Sequence, residues 1–282
     1  MDDLAKLFNS QRLTPEMAKN FISLTFDGYK KRKKSGNLYS SGNEIPCLLI
    51  MTYYSFIETP NFSDIYDKYE KKYIINENAL EDVNNRKERL GLKEVYKYLS
   101  EFDENHWLNI YIILEIHQKL YSKVDYPEFG GNFRKANCFI SSSDVPTCSY
   151  DEIAKAVCDL NNDFLKLVEK AKIIKNSKEV NNLIEYINEV IELKCKLIQI
   201  HPFPDGNGRT MRAMVNLFFK LVNLPPVYIQ RKEKDEYIRA MDQAIRNKNY
   251  NLINGFYYYK ICDSIIDLDF DNTMEKTESK SR

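Results

Sequence analysis

Between Val180 and Ile200 the apolar residues Leu183, Ile187, Val190, Ile191, Leu197 and Ile198 recur at the spacing of one helix face, which commits this stretch to a long buried helix. A second run, through Met214, Leu217, Phe218 and Leu221, begins near Arg209 and ends before Pro225-Pro226, because the second ring lacks an N–H and disfavours helix before it. Most other segments carry the same periodicity, so the expected fold class is all-α. The exception lies between Pro127 and Thr147. There Gly130-Gly131, the short run Ala136-Asn137-Cys138-Phe139-Ile140 and the polar Ser141-Ser142-Ser143-Asp144 predict a small β-hairpin on the helical scaffold.

Composition narrows function by exclusion. Hydrophobic residues at 43% and charged residues at 29% of 282 positions are those of a globular chain with a sizeable core. Lys plus Arg equals Asp plus Glu at 41 each, so no overall basic charge calls for a nucleic acid, and any phosphate binding has to be local. The six cysteines include no CxxC pair and are read as reduced thiols. No stretch reaches the roughly 18 uninterrupted apolar residues of a membrane span, and the N-terminus lacks an apolar signal core. A cytoplasmic location with no membrane partner is expected; specialised secretion would leave the same pattern. The basic stretch over 30–43 reads as a solvated loop, and the polar tail over 264–282 as disordered.

Chemistry concentrates in HPFPDGNGRTMR, residues 201–212, between the two helices. Gly206 and Gly208 permit backbone geometries closed to other residues. With Asn207 between them and a helix start behind them, their amides form a nest for an anion. Arg209 and Arg212 share one face of the first turn and can hold successive phosphates. Asp205 offers the hard oxygen that Mg²⁺ takes beside phosphates, and His201 stands where a base for an incoming hydroxyl is needed. Each residue alone suits an ordinary turn; a plain turn needs none of the charged set together.

The segment resembles the signature of the Fic family, His-x-Phe-x-(Asp/Glu)-Gly-Asn-Gly-Arg-x-x-Arg, with every specified position filled. Glu115-Ile116-His117, Gly131-Asn132-Phe133-Arg134 and Glu236-Tyr237 extend the likeness over about residues 100–262. The resemblance implies a Fic-fold helical bundle: a core domain over 96–263 preceded by an N-terminal helical region over 1–95. It implies a protein adenylyltransferase, in which AMP passes from ATP to a hydroxyl of a target protein. His201 would be the base and Asp205 the Mg²⁺ ligand. Gly206, Asn207 and Gly208 would hold the α-phosphate, Arg209 the β-phosphate, Arg212 the γ-phosphate, and Tyr237 would lie against adenine or ribose. The hairpin over 132–143 would be a flap that docks the target by main-chain hydrogen bonds. Removal of AMP, transfer of another phosphate-linked group, and a catalytically silent nucleotide-binding regulator remain as alternatives, and a homo-oligomer is compatible with all of them.

Many relatives carry an inhibitory helix with the pattern (Ser/Thr)-x-x-x-Glu-(Gly/Asn), whose glutamate pairs with the second arginine. The candidate here is the helix around 45–58, with Tyr54-Ser55-Phe56-Ile57-Glu58-Thr59 departing from the pattern at both outer positions. Glu58 is the expected partner of Arg212.

Overall fold

The computed structural model describes residues 43–56, 62–102, 107–140, 145–177 and 180–267, with isolated helical positions 20, 24, 27 and 31. In chain order the helices are α1 (Glu44–Phe56), α2 (Phe62–Leu80), α3 (Arg86–Glu101), α4 (Ile112–Leu120), α5 (Ile153–Asp159), α6 (Asn161–Ser177), α7 (Val180–Ile200), α8 (Asn207–Leu221), α9 (Lys234–Asn247) and α10 (Asn251–Asp267). Two short 3₁₀ turns, Pro127–Phe129 and Arg231–Glu233, complete the described elements. None of the helices is long and apolar enough to cross a membrane.

The core is organised around α8. From Thr210 to Phe219 every residue of this helix is buried, because α7, α4, α6 and α3 pack around it. An all-round buried helix belongs at the centre of a bundle rather than on its surface. Its end follows from local chemistry: Asn223 adopts a left-handed φ of 61°, Leu224 N–H donates to the Phe219 carbonyl at 2.9 Å, and the prolines forbid a further turn. Asn216 then pins the chain after the prolines to α8, its amide donating to the Val227 carbonyl (2.9 Å) and its oxygen accepting from Val227 N–H (2.8 Å).

At the C-terminal end of α3, Lys220 Nζ donates to the carbonyls of Leu99, Ser100 and Phe102 at 2.8, 2.7 and 2.9 Å. A cation on the open carbonyls of a helix C-terminus satisfies groups that otherwise lack partners and complements the helix dipole. Lys220→Met is therefore expected to lower unfolding free energy by about 1–3 kcal/mol, read from urea midpoints, and a change near zero would discount the cap.

The helical class is as the periodicity predicts; the expected hairpin is not confirmed. Among the described residues its region holds one isolated antiparallel bridge, Phe139 to Pro146, and residues 141–144 lie outside the described set. The stretch 30–43 also falls largely outside it, as do residues 268–282. The end of the chain's helical part needs correction: α10 continues to Asp267, past the expected limit at 263, because the apolar Ile265 is still fully buried there.

Candidate active site

The site is a loop trapped between two helices. α7 stops where Pro202 disfavours helix at the residue before it; His201 accordingly turns to φ 53°, while its N–H still bonds the Leu197 carbonyl at 3.1 Å. Phe203 is fully buried and stacks on His117, ring centroids 3.9 Å apart and planes 6° apart. Gly206, at φ 71°, caps α8. A Cβ there would lie 2.9 Å from Tyr121 Cε2 and 3.0 Å from Leu120 Cδ2. Conformation and space thus both demand glycine, and Gly206→Ala is expected to cost about 1–3 kcal/mol in denaturant unfolding.

Arg134 and His117 set the loop's position. Arg134 Nε donates to the His201 carbonyl (2.8 Å) and its amide to the Pro202 carbonyl (2.9 Å), while its guanidinium also bonds the carbonyls of Ala136 and Cys148. His117 Nδ1 accepts from Gly131 N–H at 2.9 Å, which places its proton on Nε2, the nitrogen 3.0 Å from the Asp205 carbonyl. Burial pushes its pKa down to about 4, so the ring stays neutral and keeps that tautomer. Both residues fall in stretches tied to the core by resemblance, but no spacing rule assigns them these contacts.

His201, Asp205, Gly206, Asn207, Gly208, Arg209, Arg212 and Tyr237 all line one pocket of about 410 Å³. Burial lowers the pKa of His201, with Arg134 acting the same way against the Ile198 carbonyl and Asp205. The imidazole is therefore a free base at neutral pH. Its Nδ1 is buried. Burial would raise the Asp205 pKa, but the Tyr121 hydroxyl (2.8 Å), the Gly206 amide and Arg209 outweigh it and hold the carboxylate below its ordinary range.

The side chain of Asn207 closes the loop onto Phe203. Its oxygen accepts from Phe203 N–H at 2.9 Å and its amide donates to the Phe203 carbonyl at 2.8 Å. The amide carries a second N–H, so the residue keeps one side-chain donor beside its main-chain N–H.

Both arginines meet carboxylates from the N-terminal helices. Arg209 donates to Glu88 at 2.9 Å and to the Tyr121 hydroxyl at 3.1 Å. Arg212 Nε lies 2.6 Å from Glu77 and its terminal nitrogen 2.7 Å from Glu81. Glu58 lies outside the described residues; the carboxylates on Arg212 come from α2 and the turn that follows it. α1, expected to carry the inhibitory residue, packs against α7 and α10. A signal for Glu77 exists in the sequence: it falls in the stripe Tyr66, Tyr69, Tyr73, Glu77, Leu80, a carboxylate on an otherwise buried aromatic and apolar face. Glu77-Asn78 also keeps the last two positions of the inhibitory pattern, with Tyr73 in the Ser/Thr place.

The two glutamates differ. Complete burial raises the pKa of Glu77 against the pull of Arg212. Burial would also raise Glu81, but Arg212, Arg209 and Lys234 prevail and lower it. Glu81 lines the pocket, and its Oε1 is 2.5 Å from where a Gly208 Cβ would stand, so its charge sits over the first turn of α8, the place prepared for an anion.

Among the described residues the protein is helical, with a loop-to-helix junction that sets backbone amides and two arginines beside a neutral histidine. Residues 107–219 match the model of the Fic/DOC family. It is 29% identical over 164 residues to the protein adenylyltransferase Fic of Aedes aegypti, covering 57% of this chain and 30% of that one. To the protein of the same name from Nematostella vectensis it is 30% identical over 159 residues, 56% of this chain and 34% of the relative. The chain thus spans about a third of the length of these relatives. Fic-1 (residues 134–508) from C. elegans superposes with a TM-score of 0.58 at 14% identity, covering 96% of this chain and 98% of that one. A Fic domain containing signaling protein from Bacteroides thetaiotaomicron gives 0.54 at 15%, over 80% and 94%. At such identities the structural likeness speaks to the fold.

Proposed function

We propose that this chain is a protein adenylyltransferase, transferring AMP from ATP to a hydroxyl side chain of a target protein, held in check by Glu77 and Glu81. The observation that carries the reading is the convergence of a neutral histidine, a helix-start nest and two arginines on one pocket. The relatives named above carry the same activity in their names.

In this reading Nε2 of His201 takes the proton of the target hydroxyl as its oxygen attacks the α-phosphorus, and pyrophosphate leaves. The amides of Asn207 and Gly208 receive the α-phosphate and the arginines the outer ones, so that catalysis is positioning and charge stabilisation. Asp205 is suited to Mg²⁺, being ionised and on the pocket wall. Among the described residues no group of three such ligands gathers, so phosphate oxygens and water would complete the ion's shell. Bound there, Mg²⁺ would supply charge neutralisation for the phosphates. Phe139, 82% exposed, and Ile140 lie at the pocket beside the single bridge, and an extended target segment would pair with the main chain there.

Glu77 and Glu81 compete with the γ-phosphate for Arg212, which is the role the pattern assigns to an inhibitory glutamate. The test is incubation of the chain and its His201→Ala variant with α-labelled and, separately, γ-labelled ATP in magnesium. Label on protein from the α-position alone, and dependent on His201, is the expected result; label from the γ-position would mean phosphorylation, and none from either, in the Glu77→Gln/Glu81→Gln background as well, would favour a silent nucleotide binder.

A further inference from the structure

The pocket wall carries a third cation, which the loop does not supply. Lys234, the first residue of α9, lines the pocket together with Arg209 and Arg212. Its Nζ donates to Asp82 Oδ2 at 2.8 Å, and the other Asp82 oxygen takes Arg231 at 2.7 Å. Asp82 is the residue after Glu81, so Lys234 stands at the end of the pocket where Glu81 holds Arg212. An ammonium carries three N–H groups, so one bond to Asp82 orients the side chain and leaves two donors for a ligand. The cations at this end are not equally available. Arg212 is 4% exposed and lies on two carboxylates, whereas Lys234 and Asp82 are 32% and 51% exposed, a pair that water screens and that contributes little.

We propose that Lys234 is a further ligand for the outermost phosphate of the nucleotide, a cation from outside the loop that makes the pocket favour a triphosphate over a diphosphate. The inference rests on the reading that the pocket holds a nucleoside triphosphate, and it adds a residue that senses the length of the phosphate chain. A terminal phosphate oxygen gives Lys234 a charge-assisted bond that a chain one group shorter does not reach. Because the pair with Asp82 is weak, the flexible ammonium turns to such an oxygen at small cost, while Arg212 has first to be released by Glu77 and Glu81. Lys234 thereby gives the triphosphate a contact in the inhibited chain.

The test measures binding of ADP and ATP, with magnesium, by calorimetry in the full chain carrying His201→Ala to prevent turnover, with and without Glu77→Gln/Glu81→Gln. Into each background Lys234→Met, Lys234→Arg and Arg231→Met are introduced; the last removes the other partner of Asp82, a side chain that does not line the pocket. Lys234→Met is expected to weaken ATP binding about tenfold, the worth of one charge-assisted bond, and to leave ADP unchanged. Lys234→Arg is expected to keep most of the ATP affinity, and Arg231→Met all of it. Unchanged ATP affinity in a folded Lys234→Met variant overturns the proposal. So does an equal loss for ADP, which would mean a general disturbance of the pocket, or an equal loss in Arg231→Met, which would mean an effect through Asp82. Absence of ATP binding in both backgrounds overturns the nucleotide reading and this one together. The label experiment separates the two: Lys234-dependent ATP binding without transfer of α-label retains the phosphate ligand and sinks AMP transfer, and transfer with ATP binding indifferent to Lys234 does the reverse.

Discussion

His201→Ala is expected to lower AMP transfer about a hundred- to ten-thousandfold, the range for losing a positioned general base, with melting temperature little changed. What fixes the loop here is the residue's carbonyl on Arg134, which alanine retains. The same group predicts a pH profile. Its pKa is lowered, chiefly by burial, so the neutral form persists below the ordinary histidine midpoint of about 6.5. Transfer should fall as acid protonates the ring, with a midpoint under that value. A midpoint below about 6.5 would fit this; a midpoint above about 7 would remove His201 from the role of base.

Joint replacement of Glu77 and Glu81 by glutamine is expected to raise auto-modification about ten- to a hundredfold. Exchanging a charge-assisted bond for a neutral one weakens each contact on Arg212 by roughly 1–2 kcal/mol, and each 1.4 kcal/mol is tenfold. The single variants should separate. Glu81 lines the pocket and holds its charge over the start of α8, so Glu81→Gln is expected to give most of the activity gain at small cost in stability. Glu77 is wholly buried on a guanidinium 4% exposed. Glu77→Ala therefore leaves a buried cation under-compensated, a loss of about 3–5 kcal/mol that melting would register. Because the Glu81 pKa is held below its ordinary value, its pair with Arg212 is present above the usual carboxylate range and is lost only as pH falls through the lowered value, so the brake persists at neutrality. Unchanged auto-modification in a folded Glu77→Gln/Glu81→Gln variant would discard it.

The apolar period of residues 180–200 and of the run through Met214 to Leu221 suffices by itself to place α7 and α8, since a buried face leaves a 3.6-residue trace in the chain. The loop's chemistry is equally legible, because glycine, carboxylate, imidazole and guanidinium each have few other reasons to stand together in one short segment. Partnership is not. Which carboxylate meets Arg212 depends on how α2 crosses α8, and a contact between residues 77 and 212 leaves no period in the chain. The task of Asn207 likewise turns on a closure onto Phe203 that an alternative turn could lack. Local periodicity and residue chemistry, determined along the chain, set the helices and the anion-receiving loop. Tertiary packing alone decided what occupies the arginines, because that is a matter of distance through space.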